Sequence, residues 1–407
     1  MVHALKNKLV RSAVGLAIGL LCSMAAQAEA NPYYLGASLG ANRVTNVYSL
    51  PDTNNADTVT TASLLAGVDQ QIGRQHLVID GSLQQNHYKV NTPLNNHGYS
   101  LHGQFDWSTV GNVSGTLSAS ANQSLASYNI GEGITQVFAK NIEKDHQLQS
   151  LVRVGLVTRY SLEASLTHYE QSFSLVQYDA LAFSQNAGSL GLVYKPNDLL
   201  RLGVALRHTT GEYPRYPVVS TQFDPDVAPF FVKEADNFKR NDLDLTANWA
   251  PTGASKLDAR LSWTKADHDV ALALDFKGIT GSVGWNWQPV SRLIIGSHYT
   301  RDTGNQNTAL GIYLNRVGNA FQLDASYELT SKIGLTSSAV YNRGSYSNNG
   351  SNSSFDNIHT LSLGARWAYS RSLSMTCQLN RTGRSASTAA YNYSASGFGC
   401  TAQALMY

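Results

Sequence analysis

The residues of this chain whose types could do chemistry are carboxylates and guanidinia set singly among small polar neighbours: Asp80, Asp106, Glu163, Arg207, Asp242, Asp244, Asp258, Arg260, Asp324, Glu328 and Arg366. Catalysis needs such groups gathered in sets with distinct surroundings. Here the 11 histidines are scattered, no Gly-x-Ser-x-Gly occurs, and no two carboxylates share matching surroundings. The spacing argues against an enzyme and for a polar wall in which each charge is solvated or paired. A second group is aromatic. The segment Tyr213–Asp236 carries Tyr213, Arg215, Tyr216, Phe223, Phe230 and Phe231 together with four of the 10 prolines, and reads as the longest irregular piece of the chain. Folded inward, it would narrow a channel and offer ring faces to a passing carbohydrate; a loose external loop is the alternative. Tyr213, Arg215, Tyr216, Phe223, Phe230, Phe231, Arg207, Asp242, Asp244 and Arg260 are therefore the candidates for lining or constricting a lumen. No cofactor or metal is expected.

What would hold such a wall is a repeated hairpin. In Gly281–Gly304, Val283, Trp285 and Trp287 alternate with Ser282, Gly284 and Asn286; the chain reverses at Pro289-Val-Ser, and Leu293, Ile295, Ser297 and Tyr299 then alternate with Ile294, Gly296, His298 and Thr300. Period-2 alternation over arms of roughly ten residues is the length of a strand tilted across a bilayer. Copies recur at Tyr194-Lys-Pro196 with Leu200, Leu202, Val204 and Leu206, and at Trp249-Ala-Pro251 with Leu257, Ala259, Leu261 and Trp263.

Composition agrees with a surface that avoids water. Only 14% of residues are charged and the mean hydropathy is −0.22, where a soluble domain carries about a quarter charged residues. No apolar run after the first thirty residues approaches the roughly 20 that a spanning helix needs, which leaves a closed barrel as the other structure able to satisfy its backbone in lipid. Lys6, Lys8 and Arg11 precede the apolar segment Ser12–Met24, which exits through Ala26-Gln-Ala28 and Ala28-Glu-Ala30, so residues 1–30 read as a cleaved secretory signal and 31–407 as the mature barrel. Leu21 before Cys22 argues against lipidation. The mature chain holds 27 basic and 27 acidic residues, a neutral balance that argues against nucleic acid as a partner. Cys377 and Cys400 remain, spaced to suit neighbouring antiparallel strands in an oxidising periplasm; a disulfide stapling the last hairpin is expected, two buried free thiols being the alternative.

Taken in order, the alternating runs amount to about 18 strands whose short turns alternate with long loops, the layout of an outer-membrane barrel. Trp107, Tyr194, Trp249, Trp287 and Tyr369 fall beside short turns, and Tyr99, Trp263, Tyr299 and Tyr341 near long loops, as two interfacial girdles require. One feature resists: Leu405 and Tyr407 have the opposite parity to Phe398, Cys400 and Ala402, which calls for a bulge or a different register.

The aromatic-x-Pro turn followed by a strand ending in an Arg-x-Thr run closed by Gly, here Arg207-His-Thr-Thr-Gly-Glu-Tyr-Pro214 and Arg301-Asp-Thr-Gly304, together with the paired cysteines, resembles the EpsL-like outer-membrane proteins, the β-barrel porin group found in exopolysaccharide operons. The resemblance implies a conduit in the bacterial outer membrane for a polysaccharide chain, supplied by periplasmic polysaccharide-export machinery and surrounded by outer-membrane lipid; it supplies no binding residues. The alternatives from other classes are a general or sugar-selective diffusion porin for small solutes and a structural barrel with a plugged lumen.

Overall fold

The computed structural model describes residues 31–51, 55–128, 138–157, 159–219, 231–270, 275–305, 315–348 and 352–407; the expected signal segment 1–30 lies outside them. The described residues form 18 strands: β1 (Tyr33–Val44), β2 (Asp57–Ile72), β3 (Gln75–Tyr88), β4 (Asn96–Ser108), β5 (Val113–Leu125), β6 (Ile142–Val157), β7 (Tyr160–Phe173), β8 (Phe183–Asn197), β9 (Leu200–Val219), β10 (Phe231–Thr252), β11 (Ser255–His268), β12 (Phe276–Val290), β13 (Leu293–Asn305), β14 (Asn315–Glu328), β15 (Ile333–Asn348), β16 (Asn352–Ala368), β17 (Leu373–Ala386) and β18 (Tyr393–Met406). Each pairs antiparallel with the next, and β1 pairs with β18, so the sheet closes with no free edge. At this strand number a barrel encloses an aqueous channel.

Alternation places the two faces. Leu64 opposes Ala37 and Leu83, Leu83 opposes Tyr99, and the same outward row continues around the wall. Leu166 and Leu206, on outward positions of β7 and β9, are each 68% exposed, and most of the other large exposed apolar side chains share that face. A soluble protein does not leave so extensive an apolar surface in water. The face meets lipid, and an even-stranded closed barrel with a greasy outside is the architecture of the bacterial outer membrane. The girdle residues Trp107, Tyr194, Trp249, Trp287, Trp263, Tyr299 and Tyr341 occupy outward positions in these rows.

The three aromatic-x-Pro motifs have a common structural consequence. The ladder shifts register between Tyr194 and Asn197, between Trp249 and Thr252, and between Trp287 and Val290. Proline has no N–H to give the ladder, so each hairpin slips at Pro196, Pro251 and Pro289 and bulges just before its short turn.

Two expectations are corrected. Tyr213–Asp236 is not an irregular loop throughout: residues 213–219 continue β9, which runs for 20 residues, and residues 231–236 open β10, which runs for 22. A bilayer needs only about 9–11 residues of tilted strand, so the hydrogen-bond ladder continues well past the lipid, where the apolar alternation that marks a strand in sequence has stopped. At the C-terminus neither a bulge nor a displaced register occurs, since β18 pairs with β17 and β1 without a shift. Leu405 instead takes an inward position against Gly36, where a Cβ would lie 2.4 Å from its Cδ2, and the Tyr407 ring sits 6.3 Å from that of Tyr34. Cys377 and Cys400 are direct cross-strand partners on the outward face and are joined by a disulfide. This bond fixes the register of the hairpin on which closure depends.

A charge placed on the lipid face should destabilise the barrel where the same charge on the inner face does not. Leu166→Arg is expected to cost about 2–4 kcal/mol and Thr167→Arg under about 1 kcal/mol, read from urea unfolding in lipid vesicles. Equal losses would contradict the assignment of the faces.

Candidate functional site

On the inward face of β2 to β5, Ser82, Ser100 and Asn122 oppose one another in turn, and the carboxylates of that face are held locally, Asp80 accepting from Tyr34 at 2.8 Å, Asp106 from Thr116 at 2.6 Å, and Asp69 lying 2.6 Å from His76. The arginine–carboxylate pairs gather on the other side of the lumen. Near the ends of β6, β7 and β9 that adjoin short turns, Glu163 Oε1 accepts from Arg153 Nε at 3.0 Å and Arg201 Nη2 at 2.7 Å. Farther along the wall, Arg207 Nη2 lies 3.3 Å from both Asp242 Oδ2 and Asp244 Oδ1. Arg240 binds Asp242 through Nε at 2.9 Å and Asp302 through Nη1 at 3.0 Å, and Arg260 Nη1 approaches Asp244 at 3.9 Å.

The two signs are not equally visible from the lumen. The Arg153, Arg201, Arg207 and Arg260 side chains are 24–35% exposed, whereas Asp242 and Asp244 are 0% and 9% exposed. The aspartates are held down by hydroxyls from the neighbouring strand, with Thr264 Oγ1 donating to Asp242 and Ser262 Oγ to Asp244, each at 2.5 Å. Thr280 joins from the next strand, 2.8 Å from Thr264 Oγ1. At Asp242 and Asp244 the carboxylates lie against the sheet and guanidinia project over them, whereas Asp302, 42% exposed, reaches the lumen beyond Arg240 at 15%. A solute in the lumen meets a row of cations whose counter-charges keep the wall stable.

Toward the long-loop end, inward aromatic rings form an arc across consecutive strands. Tyr169, Phe183, Tyr213, Phe238 and His268 follow one another at centroid separations of 5.3, 5.5, 5.7 and 5.4 Å. The Phe238 ring lies on Gly211, where a Cβ would come within 2.4 Å of it, so the arc depends on that glycine. His268 Nδ1 is 2.7 Å from buried Asp236. A short helical turn between β7 and β8, Val176–Leu181, leans over the inner side: Tyr178 packs on Phe173, and Asp179 pairs with Arg215 and, at 3.6 Å, with Lys233. From the loop between β1 and β2, Tyr48 packs on Tyr128 and Phe138 of the loop between β5 and β6, at 5.0 and 5.2 Å. Burial raises the phenol pKa values of Tyr48, Tyr128 and Tyr178, which keeps this cluster neutral and apolar. These loops cover part of the external mouth.

The sequence candidates distribute accordingly. Arg207, Asp242, Asp244 and Arg260 form one network. Tyr213 is the centre of the aromatic arc, Tyr216 is buried against Tyr213 and Val218, and Arg215 anchors the turn Val176–Leu181. Phe223 and Phe230 lie outside the described residues, as does the side chain of Phe231. Arg153, Arg201, Arg240 and Asp302 were not among the sequence candidates. Each stands on an inward parity, but which charge meets which is decided by strand register. Among the described residues no three His, Cys, Asp or Glu side chains gather as a metal site.

No protein-family model and no curated protein sequence matches the chain. Among solved structures it is similar to OpdK of Pseudomonas aeruginosa with vanillate, at 10% identity and a TM-score of 0.48 over 92% of this chain and 99% of the other. It is also similar to OccK2 (OpdF) of the same organism in complex with glucuronate, at 11% identity and 0.47 over 92% and 98%. A third is the siderophore receptor PirA from Acinetobacter baumannii, at 6% identity and 0.47 over 93% and 81%. Likeness at this level assigns no residue roles.

Removing a projecting guanidinium should leave a carboxylate uncompensated. Arg207→Ala is expected to lower stability by about 2 kcal/mol, less than the roughly 3–5 kcal/mol of a fully buried pair because Arg207 is partly exposed. In a double-mutant cycle Arg207→Ala/Asp244→Ala should recover part of that loss; strictly additive losses would show that the pair is not coupled.

Proposed function

We propose that the barrel is a diffusion channel for small solutes, with a preference for anions that carry a carboxylate. The observation behind this reading is the row of part-exposed guanidinia, Arg153, Arg201, Arg207 and Arg260, set above carboxylates that face the sheet. A guanidinium offers two parallel N–H donors to a carboxylate, and successive half-occupied cations let an anion move from one to the next without a deep well. Opposite, Ser82, Ser100 and Asn122 offer neutral polar groups, and the carboxylates Asp80 and Asp106 of that wall are each held by a hydroxyl donor. Loops at the external mouth limit the size of what enters.

The export of an exopolysaccharide is the second reading. The run of Ser82, Ser100 and Asn122 across β3 to β5 favours it, since a polyol chain slides most easily where no single contact is strong, and so does the resemblance in the hairpin motifs. In this reading the polymer arrives from periplasmic export machinery and the arginines select an acidic chain.

Planar-bilayer recording separates these readings. The barrel is expected to conduct and to prefer anions at about 0.1 M salt, with the preference fading toward about 1 M as the Debye length shrinks from ~10 to ~3 Å. Arg201→Gln/Arg207→Gln should reduce the anion preference without closing the pore. Cation selectivity would overturn the anion preference, and a closed wild-type pore paired with loss of secreted polymer in a strain lacking the protein would overturn the channel reading.

A further inference from the structure

The outward face carries a second built feature, on the far side of the wall from the lumen. Strands β16, β17, β18 and β1 border a groove of about 410 Å³ whose lining includes Leu361, Leu363, Leu379, Phe398, Arg43 and Arg381. Its floor is apolar and open to the lipid: Leu361, Leu363, Leu379 and Phe398 are all more than half exposed. Register places the two arginines on either side of β18. Arg381 is the cross-strand partner of Leu361 and Ser396, and Arg43 that of Phe398. Arg43 is the last outward residue of β1, and Arg381 is followed on its face of β17 only by Gly383 and Ser385, so both stand toward the long-loop end of the apolar belt, with Leu363 and Leu379 toward its middle.

No acidic side chain lines the groove, and among the described residues neither guanidinium makes an ion pair or hydrogen bond. Two unpaired cations at the edge of hydrocarbon are costly unless an anion meets them there. The polar residues beside them, Thr45 and Ser396, already bond each other, with Ser396 N donating to Thr45 Oγ1 at 2.9 Å. The same boundary continues around the wall as Arg301 and Arg343, but there the cations flank Asn319, which accepts from Arg301 Nη1 at 3.4 Å and from Tyr299 at 2.9 Å. Along β17, β18 and β1, by contrast, two guanidinia free among the described residues border an apolar trough.

We infer that this groove binds one lipid of the external leaflet that carries phosphate on its headgroup, the phosphate bridging Arg43 and Arg381 and the acyl chains lying over Leu361, Leu363 and Leu379. Because the groove covers the seam where β18 meets β1, the lipid also spans the closure of the barrel. The inference does not depend on what passes through the lumen.

Native mass spectrometry of the mature barrel in a neutral detergent tests it, with diphosphorylated lipid A and its enzymatically dephosphorylated form as probes. The wild type should bind the phosphorylated lipid about thirtyfold more tightly than the dephosphorylated one, as two basic residues each contributing to headgroup attraction predict. Arg43→Gln/Arg381→Gln should remove that difference, while Arg201→Gln in the lumen should leave it intact. Equal binding of the two lipids by the wild type would overturn the inference, as would an unchanged preference in the double variant. Saturable binding of inorganic phosphate in place of lipid would reassign the groove to a soluble anion. Should the double variant fail to fold, the wild-type comparison and the single variants decide.

Discussion

Everything in this molecule follows from the impossibility of leaving a backbone N–H or C=O unpaired in hydrocarbon. A sheet satisfies that condition only if its last strand returns to its first, and here β18 pairs with β1 over ten residue pairs from Leu35–Met406 to Val44–Gly397. Closure then forces a division of faces, because alternate side chains cannot avoid pointing one to lipid and one inward. The greasy exterior and the polar interior are a single consequence of one hydrogen-bond ladder. The seam is reinforced by the seating of Leu405 on Gly36 and the Tyr34–Tyr407 contact, and the disulfide of Cys377 and Cys400 ties β18 to β17 beside it.

The interior solves a second problem. Charges lining a channel must be stable without the channel contents, yet visible to those contents. Placing Asp242 and Asp244 beneath Arg207, Arg240 and Arg260, with Ser262 and Thr264 as local donors, satisfies both requirements. Inverting the order, with arginines beneath and aspartates above, would give the same net charge and the opposite selectivity. Net charge over the chain therefore says little about the lumen; the depth at which each sign sits says more.

Much of this was legible in the residues and some was not, for identifiable reasons. Strand number, the outward rows, the girdles and the hairpin that carries the cysteines follow from period-2 alternation and aromatic placement, which the bilayer imposes directly. The ends of β9 and β10 were not legible, because beyond the lipid both faces are wet and Tyr213 to Val219 no longer alternates; the prolines there then look like loop. Charge partners were not legible either. Arg153, Glu163 and Arg201 reach one another only because β6, β7, β8 and β9 adopt a particular stagger, a non-local quantity. The turn Val176–Leu181 gave no periodic signal at all, and its position is set by Asp179 meeting Arg215 and Lys233, far away in sequence.

The division of faces is what every other statement here requires, and cysteine accessibility along β7 measures it most directly. With the native cysteines held in their disulfide, single cysteines at 162 to 167 in vesicles should alternate. Those replacing Leu162, Ala164 and Leu166 should resist a water-soluble maleimide and be quenched by a lipid-soluble probe, while those replacing Glu163, Ser165 and Thr167 should react with the maleimide. Uniform reactivity along the strand, or the reverse alternation, would contradict the account.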